Sequence, residues 1–462
     1  MLHNALVLML ALQLLSASPA SSCTEQDKRS LIKFLAGLSQ DGGLAASWLP
    51  DVDCCRAWEG VACDRNGTVV TEVSLPARGL HGRISPSSLA NLGSLTLLNL
   101  SHNALSGDLP PELISSTSLL VLDVSYNSLD GVLPPTTVLK QPLQVLNISS
   151  NKFAAEFPPW NTMANLIALN ASNNSFTGQM PAASLCRASP SLALLDLSYN
   201  LFTGEVSPAL ADCTMLKVLK AGRNNLSGIL PFELFDMTSL EHLSFPNNGL
   251  EGELDGSHMA KLSNLVTLDL GGNCFHGKIP ESIGQLKKLE ELTLGNNNMS
   301  GNLPSSLGNC TSLTTIDLKI NSFSGDLGNV DFSALHNLKT LDLLHNNFSG
   351  ELDLSCNYLT GRIPEALNKL NFLSELNISN NDLEGPIPTG DQMSTFSSFS
   401  FDGNPRLCGS VLGNTCDSVK AVHIITAEDQ QCGRKIIFAI AFGVFFGIGV
   451  LYDQLVLFRY FG

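Results

Sequence analysis

From Leu95 onward the chain repeats one apolar frame, Leu95-x-x-Leu98-x-Leu100-x-x-Asn103-x-Leu105-x-Gly107-x-Leu109-Pro110. Thirteen asparagines hold its ninth position: Asn103, Asn127, Asn151, Asn174, Asn200, Asn224, Asn248, Asn273, Asn297, Asn321, Asn346, Asn357 and Asn381. Their steps are 24, 24, 23, 26, 24, 24, 25, 24, 24, 25, 11 and 24 residues. The alternation at the fourth and sixth positions is too brief for a helix and fits a short strand with both leucines turned inward. One such unit cannot bury its own apolar face, so units must stack, strand beside strand. The frame therefore predicts an α/β solenoid with a parallel sheet, whose third, fifth and seventh positions face outward on the concave side. The asparagine is expected to turn inward and hydrogen-bond the backbone of neighbouring turns.

A period near 24 with this pattern is the signature of a leucine-rich repeat. Val73 to Gly82 keeps the frame with Arg78 in the asparagine's place, which gives about 14 frames. Gly-x-Ile/Leu-Pro recurs at Gly107 to Pro110, Gly228 to Pro231, Gly277 to Pro280 and Gly385 to Pro388, among others. Proline cannot donate to a ladder, so it ends a second short strand there. The step of 11 from Asn346 to Asn357 is too short for one turn; Leu352 serves two frames, and about 13 residues of return path are lacking.

Five segments follow along the chain. Residues 1–22 resemble a secretory signal, with the apolar run Ala5 to Leu15 before small residues. Residues 23–75 form a cap, with Glu25 to Leu38 helix-like and Thr24 the candidate N-cap. Repeats occupy 76–390, with a truncated coil at 346–357; a C-terminal cap and juxtamembrane segment occupy 391–433. The apolar stretch in 434–462 reads as a transmembrane helix with a short tail, carrying a Gly443-x-x-x-Gly447 suited to helix–helix contact. Cys23, Cys54, Cys55 and Cys63 crowd the first cap and Cys408 and Cys416 the last, so both ends are expected to be disulfide-capped. Pairing Cys23 with Cys54 and Cys55 with Cys63 is the most natural of three connectivities, among which the sequence does not choose. Cys186 and Cys213 fall at nearly equal places in consecutive frames and could bridge; Cys274, Cys310, Cys356 and Cys432 show no evident partner.

The cap string Cys54-Cys55-x-x-Trp58-x-Gly60-Val61-x-Cys63 and the closing Asn404-Pro405-x-Leu407-Cys408-Gly409 resemble the caps of plant leucine-rich repeat receptor ectodomains. The strings at 239–256, 264–280, 377–390 and 396–409 resemble those of one subgroup, the tyrosine-sulfated peptide and phytosulfokine receptors. That resemblance implies about twenty repeats, an island domain among the late ones, a single span and a kinase, with peptide held on the inner surface. Neither island nor kinase is recognisable here. The expectation is therefore a single-pass receptor-like protein of the plasma membrane, N-terminus outside. It would bind an extracellular peptide, sulfated or not, and signal through an adaptor or co-receptor kinase. A truncated or decoy paralogue without ligand, and a binding protein resembling inhibitors of cell-wall hydrolases, are the alternatives.

Charge and candidate chemistry refine this picture. The formal net charge is −16, which argues against a nucleic-acid partner. No phosphate loop, no HExxH and no metal-ligand spacing among nine histidines is found, so neither enzyme activity, metal nor cofactor is expected. Ten sequons (Asn66, Asn99, Asn147, Asn170, Asn173, Asn225, Asn298, Asn309, Asn347 and Asn377) suit a secreted glycoprotein. The fifth-position lane is mostly Asp or Asn, from Asn99 and Asp123 through Asp342, Asp353 and Asn377. One coil differs, with Lys217, Lys220 and Arg223 along a single strand, His242 in the next frame and Lys319 farther along. A basic spot in an acidic groove could seat a sulfate or carboxylate of a peptide; the competing reading is that these cations neutralise the neighbouring aspartates.

Overall fold

The computed structural model describes residues 23–416, apart from 87, 136–140, 364–372 and 390–392. The signal, Cys432 and the apolar stretch with Gly443 and Gly447 lie outside the described residues. Among the described residues no helix is long and apolar enough to cross a membrane.

The first cap is built around the helix Glu25–Ala36, whose first turn is capped by Thr24 Oγ1 accepting from Asp27 N at 3.0 Å. The helix stops at Ala36, two residues before the expected Leu38, with Gly37 as its C-cap. Leu38–Gln40 is instead a strand antiparallel to His81–Gly82. Trp48 and Trp58 stack at 5.4 Å beneath the helix, and both indole N–H groups donate to backbone carbonyls, Glu59 O and Leu49 O. Asp27, almost fully buried, accepts from Val70 N at 3.1 Å. Since Val70 opens the first solenoid strand, this bond ties cap to repeats. Disulfides join Cys23 to Cys54, Cys55 to Cys63 and Cys408 to Cys416 at the ends, and Cys186 to Cys213 across consecutive coils. Cys356, without an evident partner in the sequence, is also disulfide-bonded.

The repeats stack as expected. A 13-stranded sheet runs from Val61–Cys63 to Thr340–Asp342, parallel throughout except for its first antiparallel pair. Shorter ladders on the other side form from the segments after each asparagine. Fourth- and sixth-position leucines between the sheets are fully buried, as Leu268, Leu270, Leu292 and Leu294 show. Phe153, Phe176 and Phe202 add a buried stack at 6.2 Å spacing.

The asparagines form the expected ladder. Asn200 Nδ2 donates to Leu197 O and Ser198 O of its own coil and to Ala171 O of the preceding one, while its Oδ1 accepts from Phe176 N. Every asparagine of the frame repeats this except Asn357. Its Nδ2 reaches only Leu354 O and Ser355 O, and its buried Oδ1 accepts from no donor among the described residues. A further rung, Asn404, lies inside the closing cap: it donates to Ile378 O and accepts from Leu383 N. Its step of 23 from Asn381 matches the repeat, but Phe396, Phe399 and Phe401 all stand where the frame has leucine.

At the short step the solenoid is dislocated. Asn347–Asp353 is one uninterrupted strand. Its first half pairs with Ser322–Asp326 in the outer ladder, and its second half with Leu373–Asn377. The chain thus passes from outer lane to inner-type lane without a turn between. The 13-stranded sheet consequently ends at Thr340–Asp342, with no strand on its far side among the described residues.

Candidate functional site

Register places the fifth-position side chains in one row of 12 across the sheet: Ser74, Asn99, Asp123, Asn147, Asn170, Asp196, Lys220, Ser244, Asp269, Thr293, Asp317 and Asp342. Asp353 and Asn377, expected to continue the row, pair with each other beyond the dislocation. The adjacent third-position row changes character midway. Leu97, Val121, Val145, Ala168, Leu194 and Val218 give way to His242, Thr267, Glu291, Thr315 and Thr340. Val218 and His242 are direct neighbours, so the apolar half of the groove meets the polar half beside Lys220.

The five candidate cations do not form one cluster. Lys217 precedes its strand and pairs with Glu241 of the following coil at 2.9 Å. Lys319 is held between Asp317 at 2.9 Å and Asp342 at 3.3 Å, four coils from Lys220. Arg223 is not in the strand but in the turn after it, with φ +54°, its guanidinium 5.1 Å from the Tyr199 ring centre. His242 Nδ1 lies 3.1 Å from Thr267 Oγ1. Burial, and then the Lys220 ammonium, push its imidazole below the ordinary value, so it is neutral at pH 7. Neutralisation of the acidic lane thus accounts for Lys319, while Lys217 pairs with Glu241, a carboxylate outside the lane. Lys220 differs: among the described residues its ammonium has no ion pair or hydrogen bond, and Asp196 beside it acts only at longer range.

Asp196 and Asp269 sit in the row with carboxyls pushed up from the ordinary value, chiefly by burial. A raised carboxyl pKa gives stability that is complete below about 4 and is lost as pH rises through the folded value. Asp196→Asn keeps an acceptor for Ser198 N, which lies 3.0 Å from Oδ1. The variant is therefore expected to gain stability relative to the parent between pH 4 and pH 7, read by thermal melts at both pH values.

The sequons divide by exposure. Asn66, Asn173, Asn225, Asn298, Asn309 and Asn347 are exposed. Asn99, Asn147, Asn170 and Asn377 hold fifth positions, each with its Oδ1 accepting from the residue two ahead. Asn147 is buried and also donates to Asp123. Cys23, Cys54 and Cys55 sulfurs lie close together, but as members of the cap disulfides.

Comparison with known proteins agrees with this architecture. Family models described as "Leucine-rich repeat region" and "Leucine rich repeat N-terminal domain" match residues 192–408 and 24–64. A Leptospira interrogans leucine-rich repeat protein superposes with TM-score 0.51 at 26% identity, over 76% of this chain and 89% of that one. Receptor-like protein 3 of Arabidopsis thaliana is 39% identical over 42% of this chain and 27% of its own length. Phytosulfokine receptor 1 of the same plant is 31% identical over 48% of this chain and 20% of its own. The chain is a leucine-rich repeat protein. Within that class, the relatives it resembles include a plant receptor-like protein and a plant peptide receptor. It spans about a quarter of the length of these two relatives.

Proposed function

We propose that the chain is the recognition part of a plant cell-surface receptor-like protein that binds an extracellular acidic peptide along the fifth-position row, with Lys220 seating the acidic group. The observation that carries this reading is the unpaired Lys220 ammonium. It stands midway along an otherwise acidic or amide row, where the apolar and polar halves of the groove meet. A sulfate or carboxylate there would gain an ammonium partner that the fold leaves unused, with the Ser244 hydroxyl next in the row. The apolar third-position row would take the peptide's apolar side chains. Similarity to a phytosulfokine receptor supports a peptide over other ligands. Signalling would pass to a partner receptor kinase through the apolar stretch near the C-terminus, where Gly443 and Gly447 would let a second helix approach closely.

The test is binding of a short tyrosine-sulfated peptide and its unsulfated form to the secreted chain, by calorimetry. Lys220→Glu is expected to weaken the sulfated form at least tenfold and the unsulfated form little, while Lys217→Glu changes neither. Equal affinity of parent and Lys220→Glu for the sulfated form would sink the reading.

A further inference from the structure

The dislocation leaves the flank of the main sheet open from Thr340 on; before it, Leu338 O still accepts from Tyr358 N at 3.1 Å. In the coil ending at Asn321, the N–H groups of Leu318, Ile320 and Asn321 donate to Asp342 O, Leu344 O and His345 O of the next coil, at 2.8, 2.8 and 3.2 Å. The equivalent N–H groups one coil on belong to Leu343, His345 and Asn346. None has a backbone acceptor among the described residues. The core is open at the same place. Ile316, in the fourth position, is fully buried, whereas Leu341, its counterpart in the final strand, is only half-buried. Beyond the gap, the buried Oδ1 of Asn357 also lacks the N–H that a preceding coil supplies to every other rung. Three independent marks, in backbone, core and ladder, point to a missing strand-bearing coil between Asn346 and Asn357.

An open edge of this kind is a template for a further strand. We propose that Thr340–Asp342 and the turn after it form a docking edge for an extended segment of an extracellular partner protein, running parallel to the sheet. The segment carries an apolar side chain over the half-buried Leu341 and a basic one beside Asp342; Leu343 is already buried. The basic residue follows from charge: Asp317 and Asp342 share a single cation, Lys319, so the row ends with one negative charge in excess. A second copy of this chain, itself at −16, is disfavoured by repulsion. This edge lies five coils from Lys220, so it extends the proposed groove without depending on it.

The probe is a synthetic peptide with the sequence of residues 216–224, a strand of this same frame with Lys217, Lys220 and Arg223. In the free secreted chain, the amides of Leu341, Leu343 and His345 should exchange hydrogen at least tenfold faster than those of Ile316, Leu318 and Ile320. The peptide is expected to slow the first set at least tenfold. The same peptide N-methylated at alternate residues should not, because it cannot complete a ladder. Asp342→Lys is expected to weaken the unmethylated peptide at least tenfold. Exchange already slow without peptide at any protein concentration would mean that the chain covers its own edge, and would overturn the proposal. Slowing that appears only as protein concentration rises would assign the edge to a second copy, and would overturn it as well. Equal effects of methylated and unmethylated peptide would do so too.

Discussion

Replacing Asn200 with alanine is expected to destabilise the solenoid by about 3 kcal/mol, whereas Asn357→Ala costs no more than about 1. The two side chains are chemically identical and both nearly buried, at 6% and 5% exposure, so burial does not separate them. What separates them is reach. Asn200 joins two coils: it donates to Ala171 O and accepts from Phe176 N. Its loss strands the buried Phe176 N–H, each orphaned buried group costing about 1–3 kcal/mol, and leaves a small cavity. Asn357 bonds only to its own turn, and truncation also removes an acceptor without a donor among the described residues. Urea titrations of both variants against the parent decide the matter. Equal losses would mean that Asn357 bridges coils after all.

Phe176→Ala is expected to cost about 3–5 kcal/mol, the range for deleting a fully buried phenyl group. Phe176 lies between Phe153 and Phe202 at 6.2 Å on either side and meets the edge of Phe157 at 5.2 Å. Its removal therefore breaks contacts to three rings in neighbouring coils. Phe176→Leu stays apolar and fills part of the space, and should lose less, about 1–3 kcal/mol. The midpoint of urea unfolding measures both. A loss below about 1 kcal/mol for the alanine variant would show that neighbouring coils collapse into the space.

Much of this fold was legible in the chain because each coil repeats the same physics. Leu98, Leu100 and Asn103 are read together, and the structure places them as core, core and rung. The short step was legible as a fault, but not its consequence. From sequence, Asp353 follows Asp342 in the row, since both hold a fifth position. The structure sends it to another sheet, because Asn347–Asp353 runs straight on instead of turning. The candidate site was legible in part. Residue types placed Lys217, Lys220, Arg223, His242 and Lys319 together as a basic spot. Their pairing depends on neighbours in the next coil: Glu241, 24 residues on, takes Lys217, and Asp342, 23 residues on, shares Lys319 with the nearby Asp317. Burial disfavours the charged form of His242, which no linear pattern carries. What remains is Lys220. Asn404 was missed for the opposite reason, because cap residues hid a rung that spacing alone would have found.

The central claim is that one continuous concave row ends at Asp342 and does not run on to Asp353. Paired cysteines test it most directly, in a background with the exposed Cys274 replaced by serine. Neighbours in a parallel sheet lie about 4.8 Å apart, within the span that a disulfide or a short thiol-bridging reagent closes. Asp317→Cys with Asp342→Cys is expected to cross-link rapidly in the folded protein, and Asp342→Cys with Asp353→Cys to stay open. Rapid closure of the second pair would contradict the account, because it would place Asp353 in the row and remove the dislocation.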